Sequence, residues 1–290
     1  MQKKTNLISV PMDLGANIDG SRGGPETLVK MIEELQVFNS YIKTDVAVPV
    51  KTSESLKTKY KKEIEEVCRN LRDQTLASEK RGEFPLILGG DHSLALGSVF
   101  GSQLYCENKR LKLGVVWLDA HADMNTPESS ETGNIHGMPL ATILGLGHCE
   151  LTALSGEVSY LQGNKVYLAG LRSVDKKEEK IVSESGVNAF TMNQIRHMGI
   201  EVLAKEIKEN LVDKVDHIHF SFDLDVMDPC LAPSVSTPEE KGMSLEELDV
   251  LIHLLVSSKK LLAMDLVEYN PLNEQGGKGL RTVQKILEKL

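Results

Sequence analysis

The run Leu113-Gly114-Val115-Val116-Trp117-Leu118-Asp119-Ala120-His121-Ala122-Asp123 decides how this chain is read. Its first six residues show no polar alternation, the pattern of a strand buried on both faces of a parallel sheet. Polar residues then begin at once. Asp119, His121 and Asp123 share one parity, and residues two apart on a strand share a face. Left extended, the chain would hold Asp119 and Asp123 about 13 Å apart, too far for one metal ion. The reading therefore requires the backbone to curl after His121, where strand gives way to loop. Carboxyl ends of parallel strands are where open α/β sheets bind ligands.

The same device recurs along the chain. Phe84-Pro85-Leu86-Ile87-Leu88 is a second buried run and delivers Gly89-Gly90-Asp91-His92-Ser93. Another strand lies within 216–228, with carboxylates at its exit in Ser221-Phe222-Asp223-Leu224-Asp225-Val226-Met227-Asp228-Pro229. Asn6–Val10, Lys165–Gly170 and Leu261–Glu268 read as further strands. Between them fall helical patterns. Leu28, Met31, Ile32 and Leu35 recur at helical spacing behind Pro25, which suits a first helical turn. Residues 55–81 read as one long charged helix with Tyr60, Ile64, Val67, Cys68 and Leu71 inside. Ser244 and Glu247 form a capping box, and Val283, Ile286, Leu287 and Leu290 mark a C-terminal helix. Strands alternating with helices predict an α/β fold, a parallel sheet covered on both faces. With no linker, repeat or low-complexity run, residues 1–290 are expected to form a single catalytic domain.

Composition bounds the function. Asp and Glu outnumber Lys and Arg by 42 to 33, a net charge of −9, which disfavours nucleic acid and anionic membranes and suits a cationic substrate. No stretch approaches the ~18 apolar residues of a membrane helix, and no apolar signal core precedes the first strand. Cys68, Cys106, Cys149 and Cys230 are scattered without a C-x-x-C, against a disulfide framework or a thiolate metal site. A cytoplasmic protein is expected. The glycine-rich loop at 15–25 has neither Walker nor G-x-G-x-x-G spacing, so loop followed by helix is preferred to a nucleotide site.

Three strand exits together offer two imidazoles and four carboxylates: His92; Asp119, His121 and Asp123; Asp223 and Asp225. That is too many ligands for one small cation and suits a two-metal site with bridging carboxylate and water. A mostly carboxylate shell favours Mn²⁺, with Fe²⁺, Co²⁺ and Zn²⁺ as alternatives. Four carboxylates against two divalent ions and a bridging hydroxide leave the cluster slightly negative. It should draw a cation rather than a phosphate dianion.

These three motifs resemble the signatures of the ureohydrolase family, which comprises arginase, agmatinase and relatives, and the resemblance spans nearly the whole chain. It implies a three-layer α/β/α domain around a single, mostly parallel eight-stranded sheet, assembled as a homo-oligomer, trimer or hexamer. It implies two Mn²⁺ per subunit. One would be held by His92, Asp119, Asp123 and Asp223 and the other by Asp119, His121, Asp223 and Asp225, with Asp119 and Asp223 bridging. It assigns catalytic roles to Asp123 (tetrahedral intermediate and proton transfer), His136 (proton shuttling) and Glu268 (orienting the guanidinium). The implied reaction is attack of metal-bridging hydroxide on a guanidinium carbon, releasing urea and an amine. Within the family, Asp123–Pro127, Thr132–Pro139 and Arg172–Asp175 resemble arginases most, bacterial forms in particular. By that likeness Asn125, Thr132 and Asn134 bind an α-carboxylate, Asp175 and Glu178 an α-amino group, and Thr237 lies near the guanidinium. The implied substrate is L-arginine, the products L-ornithine and urea. The chain departs from the family at Ser234 and Ser236, where glycines are common, so that loop's shape depends on whether either position needs positive φ.

Other readings carry their own tests. A relative acting on agmatine, guanidinobutyrate or formiminoglutamate would turn those over faster than arginine. A single-zinc deacylase of related fold would hold one metal. A silent protein keeping the cluster for structure would show some damaged ligand, and none is damaged. His217 and His219 share parity with Asp223, but His219 sits roughly 13 Å back along the strand and is expected in the core. Asp91 is expected either to orient His92 or to cap a helix. Asp228 reads as a turn former and Trp117 as core, while Arg172 and Arg22 are expected either to neutralise substrate charge or to form structural ion pairs.

Overall fold

A computed structural model describes residues 4–50, 57–156 and 159–290. Eight strands pair in parallel throughout: β1 (Thr5–Val10), β2 (Tyr41–Asp45), β3 (Phe84–Gly89), β4 (Leu113–Leu118), β5 (Val166–Leu171), β6 (Asn188–Thr191), β7 (His217–Asp223) and β8 (Leu261–Val267). Their order across the sheet is β2-β1-β3-β8-β7-β4-β5-β6. The helices are α1 (Gly24–Leu35), α2 (Lys61–Lys80), α3 (Ala95–Asn108), α4 (Pro139–Ile143), α5 (Cys149–Thr152), α6 (Lys176–Glu184), α7 (Met192–Met198), α8 (Ile200–Asn210), α9 (Leu245–Ser257) and α10 (Lys278–Leu287).

Two apolar cores lie on the two faces of the sheet. In β4, Val116 and Leu118 join the core under α1, α7, α8, α9 and α10, while Val115 and Trp117 join the core under α2, α3 and α4. Both faces are covered, which is why the strand reads as an unbroken apolar run. Consecutive strands β3 and β4 are separated in space by β8 and β7. A crevice opens where the connections diverge, at the carboxyl ends.

The structure adds elements to the sequence reading and trims one. β2 and β6 are edge strands whose residues are half-buried or exposed, so they lack the apolar signature. The charged helix begins at Lys61 rather than 55, because Tyr60 takes a left-handed backbone (φ 50°) and stands outside it as the N-cap. Positions 55 and 56 lie outside the described residues. The capping box at Ser244 is present: Glu247 N donates to Ser244 Oγ at 3.2 Å and Ser244 N to Glu247 Oε2 at 2.8 Å.

Candidate metal centre

Four adjacent strands deliver the site. His92 follows β3, Glu268 follows β8, Asp223 ends β7 and Asp119 follows β4. They meet at a cavity of about 310 Å³, at the small end of ligand pockets. Its walls include His92, His121, Asp123, Asp223, Asp225, His136, Glu268, Asn125, Thr132, Asn134, Asp175, Glu178 and Thr237, and Asp119 is fully buried behind them. Every site residue expected from the sequence is therefore in one place.

Local chemistry turns the strand ends. Asp119 Oδ1 accepts from His121 N at 2.7 Å, and Asp223 Oδ1 accepts from Asp225 N at 2.8 Å. Each is a carboxylate closing a turn on the amide two residues later. The curl required after His121 is completed at Asp123, whose φ is 53°. Glu268 is also left-handed, at φ 63°. Such backbone costs a non-glycine residue about 1–3 kcal/mol and persists where surrounding structure dictates it.

Two ligand groups result. His92 Nδ1 lies 3.0 Å from Asp123 Oδ2 and 3.2 Å from both Asp119 Oδ2 and Asp223 Oδ2. His121 Nδ1 lies 3.0 Å from Asp225 Oδ2 and 3.5 Å from Asp119 Oδ1. Asp119 thus turns one oxygen to each histidine and belongs to both groups.

The donor set fits cations. His92 Nδ1 and Asp123 Oδ2 are buried without a hydrogen-bond partner, an arrangement that costs about 1–3 kcal/mol per group unless something compensates it. Lone pairs converging at this range repel unless positive charge lies among them. Burial, with Asp119 beside it, pushes Asp123 up to about 7, and burial with Asp225 and Asp119 pushes Asp223 well above the carboxylate range. Burial opposes charge on His92, yet Asp119, Asp123 and Asp223 outweigh it and raise the imidazole. The protein alone must hold protons among these groups, and a divalent ion relieves the same crowding by displacing them.

Glu268 and His136 form a second element. Glu268 Oε1 accepts from His92 N at 3.0 Å and lies 3.4 Å from His136 Nδ1, while Glu268 Oε2 is buried without a partner. Burial opposes charge on His136, but Glu268 and Asp123 raise its pKa to about 9.

The structure also gives several of these residues specific partners. Asp91 is a cap: its carboxylate accepts from Ser93 N at 3.0 Å and Gly15 N at 2.8 Å, tying the loop after β1 to the exit of β3. Arg172 donates to the carbonyls of Gly170, Asp225, Met227, Glu239 and Glu240 rather than pairing with an acid. Glu178 Oε1 accepts from Met124 N at 2.8 Å and Oε2 from Asp175 N at 3.4 Å, so it clamps α6 to the loop after β4. Burial raises its pKa to about 7. Thr237 donates to Asp225 Oδ2 at 3.2 Å. Neither Ser234 nor Ser236 has positive φ, so serine is tolerated where glycine is common.

Sequence reading missed part of the site. Trp117 is core, but its Nε1 also donates to Asp119 Oδ2 at 3.0 Å and its ring stacks on His92, centroids 4.3 Å apart. Parity alone offered the hint, since Trp117, Asp119 and His121 share a face. Ser130, Glu131, Gly137 and Ser173 complete the wall, and nothing in their spacing distinguished them.

A model of the arginase family matches residues 3–290. The chain belongs to the arginase family. An arginase of Bacillus caldovelox is 36% identical over 288 residues, 95% of this chain and 94% of that one. An arginase of Brevibacillus brevis is 37% identical, over 94% of this chain and 92% of its own. The solved B. caldovelox arginase superposes with TM-score 0.92 at 33% identity, covering 100% of this chain and 98% of that one. An Entamoeba histolytica arginase in complex with L-ornithine gives TM-score 0.90 at 34% identity, covering 100% and 99%. The eight-stranded fold implied by the sequence resemblance is the fold of this family.

Proposed function

We propose that this chain is a binuclear manganese arginase, hydrolysing L-arginine to L-ornithine and urea. The observation that carries the reading is the chemical difference between the two ends of the cavity. At its buried end stand His92, Asp223, Asp225 and Glu268, each 1–3% exposed, an anionic seat for a guanidinium. Toward solvent stand the neutral groups of Asn125 and Thr132 and the exposed carboxylate of Asp175. An amino acid's carboxylate suits neutral donors and its ammonium suits an acid.

His92, Asp119, Asp123 and Asp223 would hold one ion, and Asp119, His121, Asp223 and Asp225 the other. Two divalent ions there supply the means to ionise water near neutral pH and polarise the substrate. The unpartnered Glu268 Oε2 accepts from guanidinium N–H groups, and its left-handed backbone aims the carboxylate at them. Asp123, besides holding an ion, would accept from the amino group of the attacked carbon and take part in proton transfer. His136, paired through Nδ1 with Glu268, carries a proton to the departing amine, which leaves well only as the ammonium. Asn125, Thr132 and Asn134 take the α-carboxylate, Asp175 and Glu178 the α-amino group, and Thr237 supports Asp225 beside the guanidinium.

Manganese suits the oxygen-rich set, with one imidazole per ion. Residues 1–290 act as one catalytic domain, in the cytoplasm, in a trimer or hexamer; the dispersed, unbridged cysteines accord with a reducing compartment. Among the described residues no helix is long and apolar enough to cross a membrane. Urea release from arginine, agmatine, 4-guanidinobutyrate and N-formimino-L-glutamate tests the assignment. Arginine should exceed agmatine in kcat/KM by about 10²-fold or more, because agmatine leaves the rim donors unpaired. Equal or faster turnover of agmatine sinks it.

A further inference from the structure

The cavity wall holds an acid to which the reaction above gives no task. Glu131 lines the cavity beside Thr132 and is exposed to solvent. Local hydrogen bonds set its place. Ser130 Oγ accepts from Gly133 N at 3.0 Å, and Thr132 Oγ1 accepts from Asn134 N at 3.2 Å. Gly133 takes φ 72°, so the chain turns tightly here and brings Glu131 and Thr132 together to the mouth. No positive charge answers Glu131 from the wall, which holds no lysine or arginine among the described residues. Lys59 is tied to the same turn, its N–H donating to Gly133 O at 3.0 Å, yet its ammonium donates to Asn17 Oδ1 at 3.1 Å.

We infer that Glu131 is a specificity-determining residue: it limits the preference for arginine over agmatine by repelling the substrate's α-carboxylate. The inference rests on the reading of the rim given above, in which Asn125, Thr132 and Asn134 take that carboxylate. Ionised carboxylates only accept hydrogen bonds, so Glu131 acts on this group through charge alone. Arginine and agmatine carry the same guanidinium and an amine at the same remove from it. They differ by the carboxylate. Whatever Glu131 does to the shared cations is therefore common to both substrates and cancels in the ratio of their kcat/KM values, the measure of specificity. What survives is the repulsion, which lowers that ratio. Two like charges about 6–8 Å apart across solvent interact by enough to move a binding constant roughly threefold. The neutral donors of the rim set the direction of the preference, and Glu131 trims its size.

The test is urea release from L-arginine and agmatine by the manganese-loaded wild type, Glu131→Gln and Glu128→Gln, at low salt and at about 1 M NaCl. Glu128 is an exposed acid of the same loop outside the cavity wall, so its variant controls for overall charge. At low salt, Glu131→Gln should raise the arginine-to-agmatine ratio of kcat/KM about threefold, with each kcat within about twofold. At about 1 M salt, which screens charges beyond roughly 3 Å, the rise should shrink below about 1.5-fold. Glu128→Gln should leave the ratio within about 1.5-fold at either salt. L-Ornithine and 1,4-diaminobutane differ by the same carboxylate, so their dissociation constants by calorimetry give the shift again without turnover. An unchanged or lowered ratio in Glu131→Gln overturns the inference. So does a rise that survives high salt, which an altered loop shape would give, or an equal rise in Glu128→Gln. A wild type that turns over agmatine faster than arginine defeats the arginase reading, but the shift between wild type and Glu131→Gln still decides this inference.

Discussion

Gly90 is the most informative single perturbation. It sits where three strand exits cross: Gly90 N donates to Val10 O at 3.1 Å, Asp91 N to Met12 O at 2.8 Å, and Glu268 N to Gly90 O at 2.7 Å. A Cβ on Gly90 would stand 1.8 Å from Met12 O and 2.8 Å from Met12 C. Real Cβ atoms keep at least 3.0 Å from such neighbours, so the backbone after β1 or β3 must retreat by 1.2 Å or more. Both atoms are main chain, so no side chain can yield instead. Overpacking at about 1–3 kcal/mol and strained amide bonds at about 1 kcal/mol each put the cost of Gly90→Ala near 3 kcal/mol. At about 2.1 cal/mol/K of unfolding entropy per residue, a 290-residue chain loses about 5 °C of Tm. The larger loss is catalytic. Asp91, His92 and Glu268 hang on these bonds, and a shift near 1 Å in positioned groups costs about 10²-fold. Thermal unfolding and urea release from arginine measure both. Gly137→Ala is the control, because its Cβ meets nothing within 4 Å and its Tm should stay within about 1 °C. If Gly90→Ala kept wild-type Tm and kcat/KM within threefold, the claim that backbone contact at Gly90 sets the site's geometry would be refuted.

Asp119 turns an oxygen to each ligand group, so Asp119→Asn should lower manganese content from two ions toward none, whereas Asp225→Asn should cost mainly one; metal analysis after dialysis reads this. The sole tryptophan, Trp117, stacks on His92 and bonds Asp119. Manganese should therefore quench its fluorescence with the stoichiometry of binding, and an unchanged signal on full loading contradicts the geometry. Chelation should lower Tm, since each ion held at 1,000 times its Kd contributes about 4 kcal/mol by mass action; equal melting with and without chelator argues against both sites. In metal-free protein, Glu178 titrates at about 7 rather than 4.5. The folded state then binds more protons than the unfolded chain between those values. The contribution of Glu178 to stability is fully present below about 4.5 and is lost as pH rises through 7, by up to about 3 kcal/mol. Glu178→Gln should flatten that fall, and an unchanged wild-type slope in chemical denaturation at pH 5 and 8 disposes of it.

The sequence by itself determined the class of fold and the chemistry at the strand exits. Buried parallel strands are apolar on both faces, so β3 and β4 stood out, while the alternating β7 was marked by the carboxylates at its exit. The edge strands β2 and β6 escaped notice because a half-exposed strand carries no such signature. Only tertiary structure decided which exits meet. Residues 92, 119, 223 and 268 come from distant parts of the chain, and the order β3-β8-β7-β4 makes them neighbours, which no local periodicity encodes. It also decided partners. Trp117 stacking on His92 and Glu178 accepting from Met124 N each depend on how separate elements pack. A side chain's type is written in the sequence, but the atom it faces is set by how separate strands and helices pack.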